Sequence, residues 1–292
     1  MEVIRGRQRV TLGCAVLDQV LEGGFPCGAI TELVGESTAA KTQLALQLLV
    51  TVQLPGSLGG SNGSAIYIHT EGYFPGRRLR QLASAFQSSR GLGFDPCDNV
   101  FVEAVGTIQE LIALFDRLEQ LFEMQREMPV RLLVIDSIAA LFRSEFENNR
   151  AEMVVRAATL FQVSAKLKRL AHRYDVAVVV TNQVMDCMDG SSGIQIGNLA
   201  ELVSSRRRVA PALGLAWGHC INIRIFLSRS QEFLEATAKR PKLDHQDVAE
   251  VSKSTKRELH VLFAPHLPYR SCEFVVNQSG IHGVLDDDRE NA

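Results

Sequence analysis

The run Glu32-Leu33-Val34-Gly35-Glu36-Ser37-Thr38-Ala39-Ala40-Lys41-Thr42 passes from an apolar strand, through a turn of small residues, into a helix carrying Leu44, Leu48 and Leu49. In that setting the pattern GxxxxGK[ST] holds phosphate. Backbone N–H groups point at phosphate oxygens from a helix N-terminus, Lys41 neutralises the β and γ phosphates, and the Thr42 hydroxyl is placed to ligate Mg2+. One position departs from the pattern, and a strict search for it would reject the chain. Ala40 stands where the second glycine belongs, so a methyl group sits where backbone normally approaches phosphate most closely. Strand, turn, Lys-Thr pair and helix are all present, against the plainer reading of an ordinary strand-to-helix turn. The alanine points to weak binding or slow hydrolysis.

A phosphate loop that hydrolyses its ligand needs a carboxylate near the metal and a base for water, both at strand C-terminal ends on the loop's side of the sheet. The apolar strand Leu132-Leu133-Val134-Ile135 ends in Asp136-Ser137 and supplies the first. A buried strand ending in aspartate is common, and it gains weight by following a phosphate-loop candidate. The strand ending His69-Thr70 leads to Glu71, a candidate to orient and deprotonate water. A helix-capping or surface acid is an equally ordinary reading of Glu71. Val178-Val179-Val180-Thr181 leads to Asn182-Gln183, whose amides are candidates to sense the terminal phosphate, or are simply loop residues.

Short β-rich runs at 30–34, 65–69, 99–103, 131–136 and 176–181 alternate with helical periods, the pattern of a parallel sheet covered on both faces. Ile108, Leu111, Ile112, Phe115, Leu118 and Phe122 make one apolar stripe; Met153, Ala157, Leu160, Phe161, Leu167, Leu170 and Ala171 make another, and both read as core. After Thr181 no long helix separates the strand candidates 220–227, 258–263 and 272–276, which predicts an antiparallel extension. The expected organisation is one α/β core over 1–284, with a flexible polar insertion at 228–256 and an acidic, disordered tail at 285–292.

The net charge of −2 makes the chain no polycation, so nucleic-acid contact has to come from local basic clusters. Six scattered cysteines suit neither a disulfide scaffold nor CxxC metal ligation, and no histidines fall at metal-ligand spacing. With no signal peptide and no apolar run of the roughly 20 residues that cross a bilayer, a soluble intracellular protein with no membrane partner is expected. Trp217 reads as structural. Lys239-Arg240-Pro241-Lys242 resembles a short nuclear import signal, although a solvated charged loop is the commoner cause of such a run.

Six segments, LDQVLEGGFPCGAITELVGE, KTQLALQLLVTVQLP, IYIHTEGYFPGRRL, LLVIDSIAALFRSEF, VVVTNQV and APHLPYRSCEFVVNQSGI, occur in one order along almost the whole chain. Together they resemble the RecA family, in its eukaryotic and archaeal recombinase branch and there its paralogues. The resemblance implies a RecA-like P-loop ATPase core, ATP and Mg2+ as cofactors, and a role in homologous recombination and DNA break repair in the nucleus. By position it makes Gly35, Glu36, Ser37, Thr38, Ala39, Ala40, Lys41 and Thr42 the ATP loop, and Thr42 with Asp136 the metal site. It makes Glu71 the catalytic glutamate, Gln183 the switch residue, and Arg78 the residue that packs on adenine.

The resemblance also implies two loops facing single-stranded DNA, at about 143–150 and 185–213. Arg143, Arg150, Arg206, Arg207 and Arg208 offer guanidinium groups there for phosphates, in a sequence-independent, salt-sensitive contact. A solvated basic loop is the alternative. The family's N-terminal helical DNA-binding domain and its Phe-x-x-Ala linker have no counterpart in the sequence. Phe263 replaces the family's ATP-capping aspartate and His69 the aspartate before Thr-Glu-Gly, which counts against filament-type cooperative hydrolysis. The expected protein binds ATP, turns it over slowly, and works with another recombinase paralogue and the strand-exchange recombinase on recombination intermediates. A non-catalytic scaffold is the rival reading, favoured by Ala40 and Phe263. An independent strand-exchange enzyme is the third.

Overall fold

A computed structural model describes residues 7–124, 127–146, 149–187, 202–234 and 252–284. The N-terminal part runs β1 (Arg9–Val10), α1 (Ala15–Val20), β2 (Phe25–Pro26), β3 (Ile30–Gly35), α2 (Lys41–Thr51), β4 (Ser64–His69), α3 (Gly76–Arg90) and β5 (Val100–Ala104). The middle runs α4 (Ile108–Glu123), β6 (Val130–Asp136), α5 (Ile138–Glu145), α6 (Arg150–Tyr174), β7 (Ala177–Asn182) and β8 (Val184–Asp186). The remainder is β9 (Leu202–Ser204), β10 (Arg207–Pro211), α7 (Gly214–Gly218), β11 (Ile223–Leu234), β12 (Ser252–Phe263), β13 (Arg270–Asn277) and β14 (Gly280–Gly283).

Nine strands form one sheet in the order β14-β13-β12-β11-β3-β7-β6-β4-β5. From β11 to β5 every neighbouring pair is parallel, and β12, β13 and β14 are added antiparallel at the β11 edge. The predicted parallel sheet with an antiparallel extension is therefore what the chain forms, and β11 is the pivot between the two. Runs such as Leu132–Ile135 are apolar at every position because both faces of the sheet are covered. Leu33, Leu132, Val134 and Val179 pack on one side with Leu44, Leu48 and Leu82 of α2 and α3. Ile30, Leu133, Ile135 and Val178 pack on the other with Leu111 and Phe115 of α4 and Leu160 and Leu167 of α6.

The α4 stripe is buried or half-buried as expected, and Thr107 caps the helix by accepting the Glu110 amide at 3.1 Å. The α6 stripe needs correction. Leu160, Leu167, Leu170 and Ala171 are buried, whereas Met153 is 59% exposed and Phe161 50%. A helix of 25 residues is about 37 Å long and β7, with six, spans about 20 Å, so the first turns of α6 outrun the sheet they were expected to cover. Phe161 lies one step, about 100°, round the helix from Leu160 and misses the core. Trp217 is fully buried in α7.

Two segments read as loops contain strands. The ends of the 228–256 stretch continue β11 and β12 as a paired ribbon, Ser228 opposite Glu258 and Leu234 opposite Ser252. The 185–213 stretch holds β8, β9 and β10 in a small antiparallel sheet of their own, order β8-β10-β9. Polar ribbons with little core beneath them lack the alternating apolar signal by which a strand is read. Residues 188–201, 235–251, with Lys239-Arg240-Pro241-Lys242, and 285–292 lie outside the described residues. Among the described residues no cysteine forms a disulfide, and no helix is long and apolar enough to cross a membrane.

A polar tie crosses three central strands just below the phosphate loop. The Glu32 carboxylate of β3, fully buried, accepts from Arg224 Nε of β11 at 2.5 Å and from Asn182 Nδ2 of β7 at 2.7 Å. The Arg224 guanidinium also lies over the Phe263 ring, 5.4 Å from its centroid. Removing one member leaves an uncompensated charge in the core. Arg224→Ala is predicted to lower the unfolding free energy by about 3–5 kcal/mol, read from urea denaturation, whereas replacing Glu32 and Arg224 together by methionine costs far less.

Candidate functional site

The phosphate loop leaves β3 at Gly35 and enters α2 at Lys41. Gly35 has no room for a side chain, since a Cβ there would stand 2.6 Å from the Leu227 carbonyl oxygen of β11. Thr38 (φ +66°) and Ala40 (φ +81°) both adopt the left-handed conformation. The glycine of the pattern is thus explained by backbone shape as well as by room for phosphate, and Ala40 holds that shape at a cost of about 1–2 kcal/mol. Lys41 lies buried under the loop with its ammonium donating to the carbonyl oxygens of Gly35 (2.7 Å) and Glu36 (2.9 Å). Burial pushes the Lys41 pKa below the ordinary lysine value, against the opposing fields of Asp136, Glu36 and Glu71.

Asp136 ends β6 beside the loop and gathers three hydroxyls. Thr42 Oγ1 donates to Oδ2 at 2.6 Å, Tyr67 Oη to Oδ2 at 2.7 Å, and Thr181 Oγ1 to Oδ1 at 2.6 Å. The predicted pair of Thr42 and Asp136 is therefore in direct contact. Their oxygens are the donor set of a hard divalent cation, and with the buried lysine beside them the residues present fit a metal-bound phosphate group. Tyr67 and Thr181 were not foreseen. Tyr67 is the one strong hydrogen-bonding side chain within the Ala-Ile-Tyr-Ile run of β4, and that polar interruption was the available signal. Burial and the charge of Asp136 raise the Tyr67 pKa far above the ordinary phenol value, so the hydroxyl keeps the proton it donates to Asp136.

Glu71, Gln183 and Arg143 form a second cluster across the cleft mouth. Arg143, near the end of α5, donates from Nη2 to Glu71 Oε1 at 2.5 Å and from Nη1 to Gln183 Oε1 at 2.5 Å; Gln183 Nε2 donates to Glu71 Oε2 at 3.3 Å. The structure thus brings Glu71 and Gln183, two of the three predicted catalytic side chains with Lys41, together and adds to them an arginine assigned from sequence to DNA. The cleft enclosed by these groups has a volume of about 440 Å3, with Lys41, Thr42, Glu71, Asp136 and Gln183 on its walls.

Glu36, expected only as a loop residue, ties the loop to the β9–β10 hairpin. Its carboxylate accepts from Ser204 Oγ, from Ser205 Oγ at 2.6 Å and from Arg207 Nη2 at 2.9 Å, with Arg229 Nε at 3.5 Å. Burial opposes ionisation of Glu36; the hydroxyls of Ser204 and Ser205 and the nearby arginines outweigh it and hold the carboxyl below its usual range. Arg207, a predicted DNA contact, is spent on Glu36 and on Asp186 (2.9 Å). Arg150, Arg206 and Arg208 are exposed. Arg78, the expected adenine neighbour, is half-buried at one end of the site, held by Gln43 Oε1 (2.7 Å) and the carbonyl oxygens of Asn277 (2.6 Å) and Gln278 (2.9 Å). Ser37 also lines the cleft, while Ala39 faces the core.

A left-handed phosphate loop with its lysine, a hydroxyl at the start of the following helix paired with a carboxylate on the next strand but one, and a glutamate after the strand beyond that define a P-loop protein of RecA-like fold. The profile of the Rad51 family matches residues 5–232, and the chain belongs to that family. It is 44% identical to the DNA repair protein XRCC3 homolog of Arabidopsis thaliana, over 95% of this chain and 93% of that one. It is 37% identical to DNA repair protein XRCC3 of Mus musculus, over 95% of this chain and 76% of that one. The DNA repair and recombination protein RadA of Aeropyrum pernix is 33% identical, over 94% of this chain and 73% of that one.

The left-handed Ala40 supplies a direct test of the loop's geometry. Ala40→Gly releases about 1–2 kcal/mol of backbone strain, offset by the roughly 0.4–1 kcal/mol that the freer unfolded chain gains. The net expectation is a protein that is more stable by up to about 1.5 kcal/mol in denaturant titration. A clear loss of stability would contradict the left-handed assignment.

Proposed function

We propose that this chain is an ATP-binding recombinase paralogue that acts in the nucleus in homologous recombination and DNA double-strand break repair. It assembles with another recombinase paralogue and assists the strand-exchange recombinase on single-stranded DNA. The observation that carries the reading is the meeting of Lys41, Thr42 and Asp136 at the mouth of a parallel sheet, in a member of the Rad51 family. The names of its relatives, DNA repair proteins and a recombination protein, support the process.

In this reading the loop amides of 36–42 and the Lys41 ammonium receive the phosphates; Lys41 exchanges its carbonyl partners for phosphate oxygens at little cost in new ordering. Thr42 and Asp136 would hold Mg2+, which when bound neutralises phosphate charge as a Lewis acid. Tyr67 and Thr181 fix the direction of the Asp136 carboxylate. Glu71 is the base for water, and Gln183 positions it. The hold of Arg143 on Glu71 makes turnover slow, because the carboxylate has to leave an ion pair before it takes a proton. The same contact favours the second reading, a non-catalytic scaffold that does not use ATP productively.

Titration with a fluorescent ATP analogue is expected to give saturable, Mg2+-dependent binding that Lys41→Ala weakens about ten- to a hundredfold, the worth of charge-assisted bonds of about 1.5–3 kcal/mol. Absence of binding in the unaltered protein would sink the ATP reading. Steady-state hydrolysis separates the two readings: Arg143→Ala raises turnover if the ion pair restrains Glu71, and leaves it at background in a scaffold. Binding to single-stranded DNA is expected to fall steeply as salt rises.

A further inference from the structure

Arg229 of β11 and Arg257 of β12 are direct cross-strand partners, so their side chains leave the same face of the sheet. Both reach Thr38 at the tip of the phosphate loop. Arg229 Nη1 donates to Thr38 Oγ1, and Arg257 Nε donates to the Thr38 carbonyl oxygen at 3.4 Å. Arg229 is held besides by Ser205 Oγ at 3.1 Å and by the Glu36 carboxylate at 3.5 Å. Arg257 has no such anchor: among the described residues no carboxylate pairs with it and its terminal nitrogens have no hydrogen-bond partner. Its side chain instead lines the cleft that contains Lys41, Thr42, Asp136 and Gln183.

Like charges placed directly opposite in a sheet repel one another, and here partial burial strips water from the pair. Burial, and after it the charge of Arg229, hold the Arg257 pKa below the ordinary arginine value. Toward the described residues a guanidinium in that position has its fork unspent, and the backbone of the loop lies beside it. An anion in the cleft would satisfy the fork and relieve the repulsion together, with the geometry that suits phosphate oxygens.

We propose that Arg257, backed by Arg229, binds the terminal phosphate of a nucleoside triphosphate held in this chain's own loop, and so makes the site prefer triphosphate to diphosphate. The assignment rests on the reading that the cleft binds ATP. It gives the polar ribbon of β11 and β12 a function within the subunit.

The test is the ratio of affinities for a non-hydrolysable ATP analogue and for ADP, both with Mg2+, in the unaltered protein and in Arg257→Ala, Arg257→Gln and Arg229→Ala. The unaltered protein is expected to favour the triphosphate; both Arg257 variants cut that preference about tenfold, and Arg229→Ala cuts it less. A side chain that only stabilised the fold would weaken both ligands in proportion and leave the ratio intact. Variants that keep the original ratio overturn this inference alone. An unaltered protein that binds neither nucleotide overturns the proposed function and this inference with it.

Discussion

The carboxylate of Asp136 is the fixed point of the site. Through three hydroxyls it binds the first turn of α2, the middle of β4 and the end of β7 to the end of β6. Each bond is short and partly buried. The order of the parallel strands makes this possible, because β6 lies between β4 and β7, and β7 lies beside β3. A phosphate loop on a parallel sheet needs such an anchor, since its left-handed residues are not held in shape by strand pairing.

Above that anchor the loop is gripped from the opposite flank. Glu36 is bound to Ser204, Ser205 and Arg207 of the β9–β10 hairpin, and Thr38 to Arg229 and Arg257 of the β11–β12 ribbon. The loop therefore joins the β9–β10 hairpin to the β11–β12 ribbon. A rearrangement of 36–40 would be felt in both, and β10 of the hairpin pairs in turn with β8.

The parallel core was legible because its strands are apolar at every position and its helices keep a strict period, as in Leu132–Ile135 and in Ile108 to Leu118. Lys41, Thr42, Asp136, Glu71 and Gln183 were legible because strand ends in a doubly covered sheet are where chemistry collects. Tyr67, Thr181, Arg229 and Arg257 were not, for they become neighbours of the loop only through pairing across strands far apart in sequence. Arg143 and Arg207 were legible as exposed cations, but which anion each one meets depends on α5 lying beside Gln183 and on β10 pairing with β8. The exposure of Met153 follows from helix length against strand length, a comparison that no single helical pattern contains, and that of Phe161 from its place one step round the helix from the buried Leu160.

Amide hydrogen exchange in the presence and absence of Mg-ATP tests the central claim most directly, because the backbone N–H groups of the loop are themselves the proposed ligands. The account predicts that the nucleotide slows exchange at residues 36–42 and, through Glu36, in the hairpin 202–211, while the far edge strand β5 is unchanged. Exchange at 36–42 that stays the same at saturating nucleotide would contradict it.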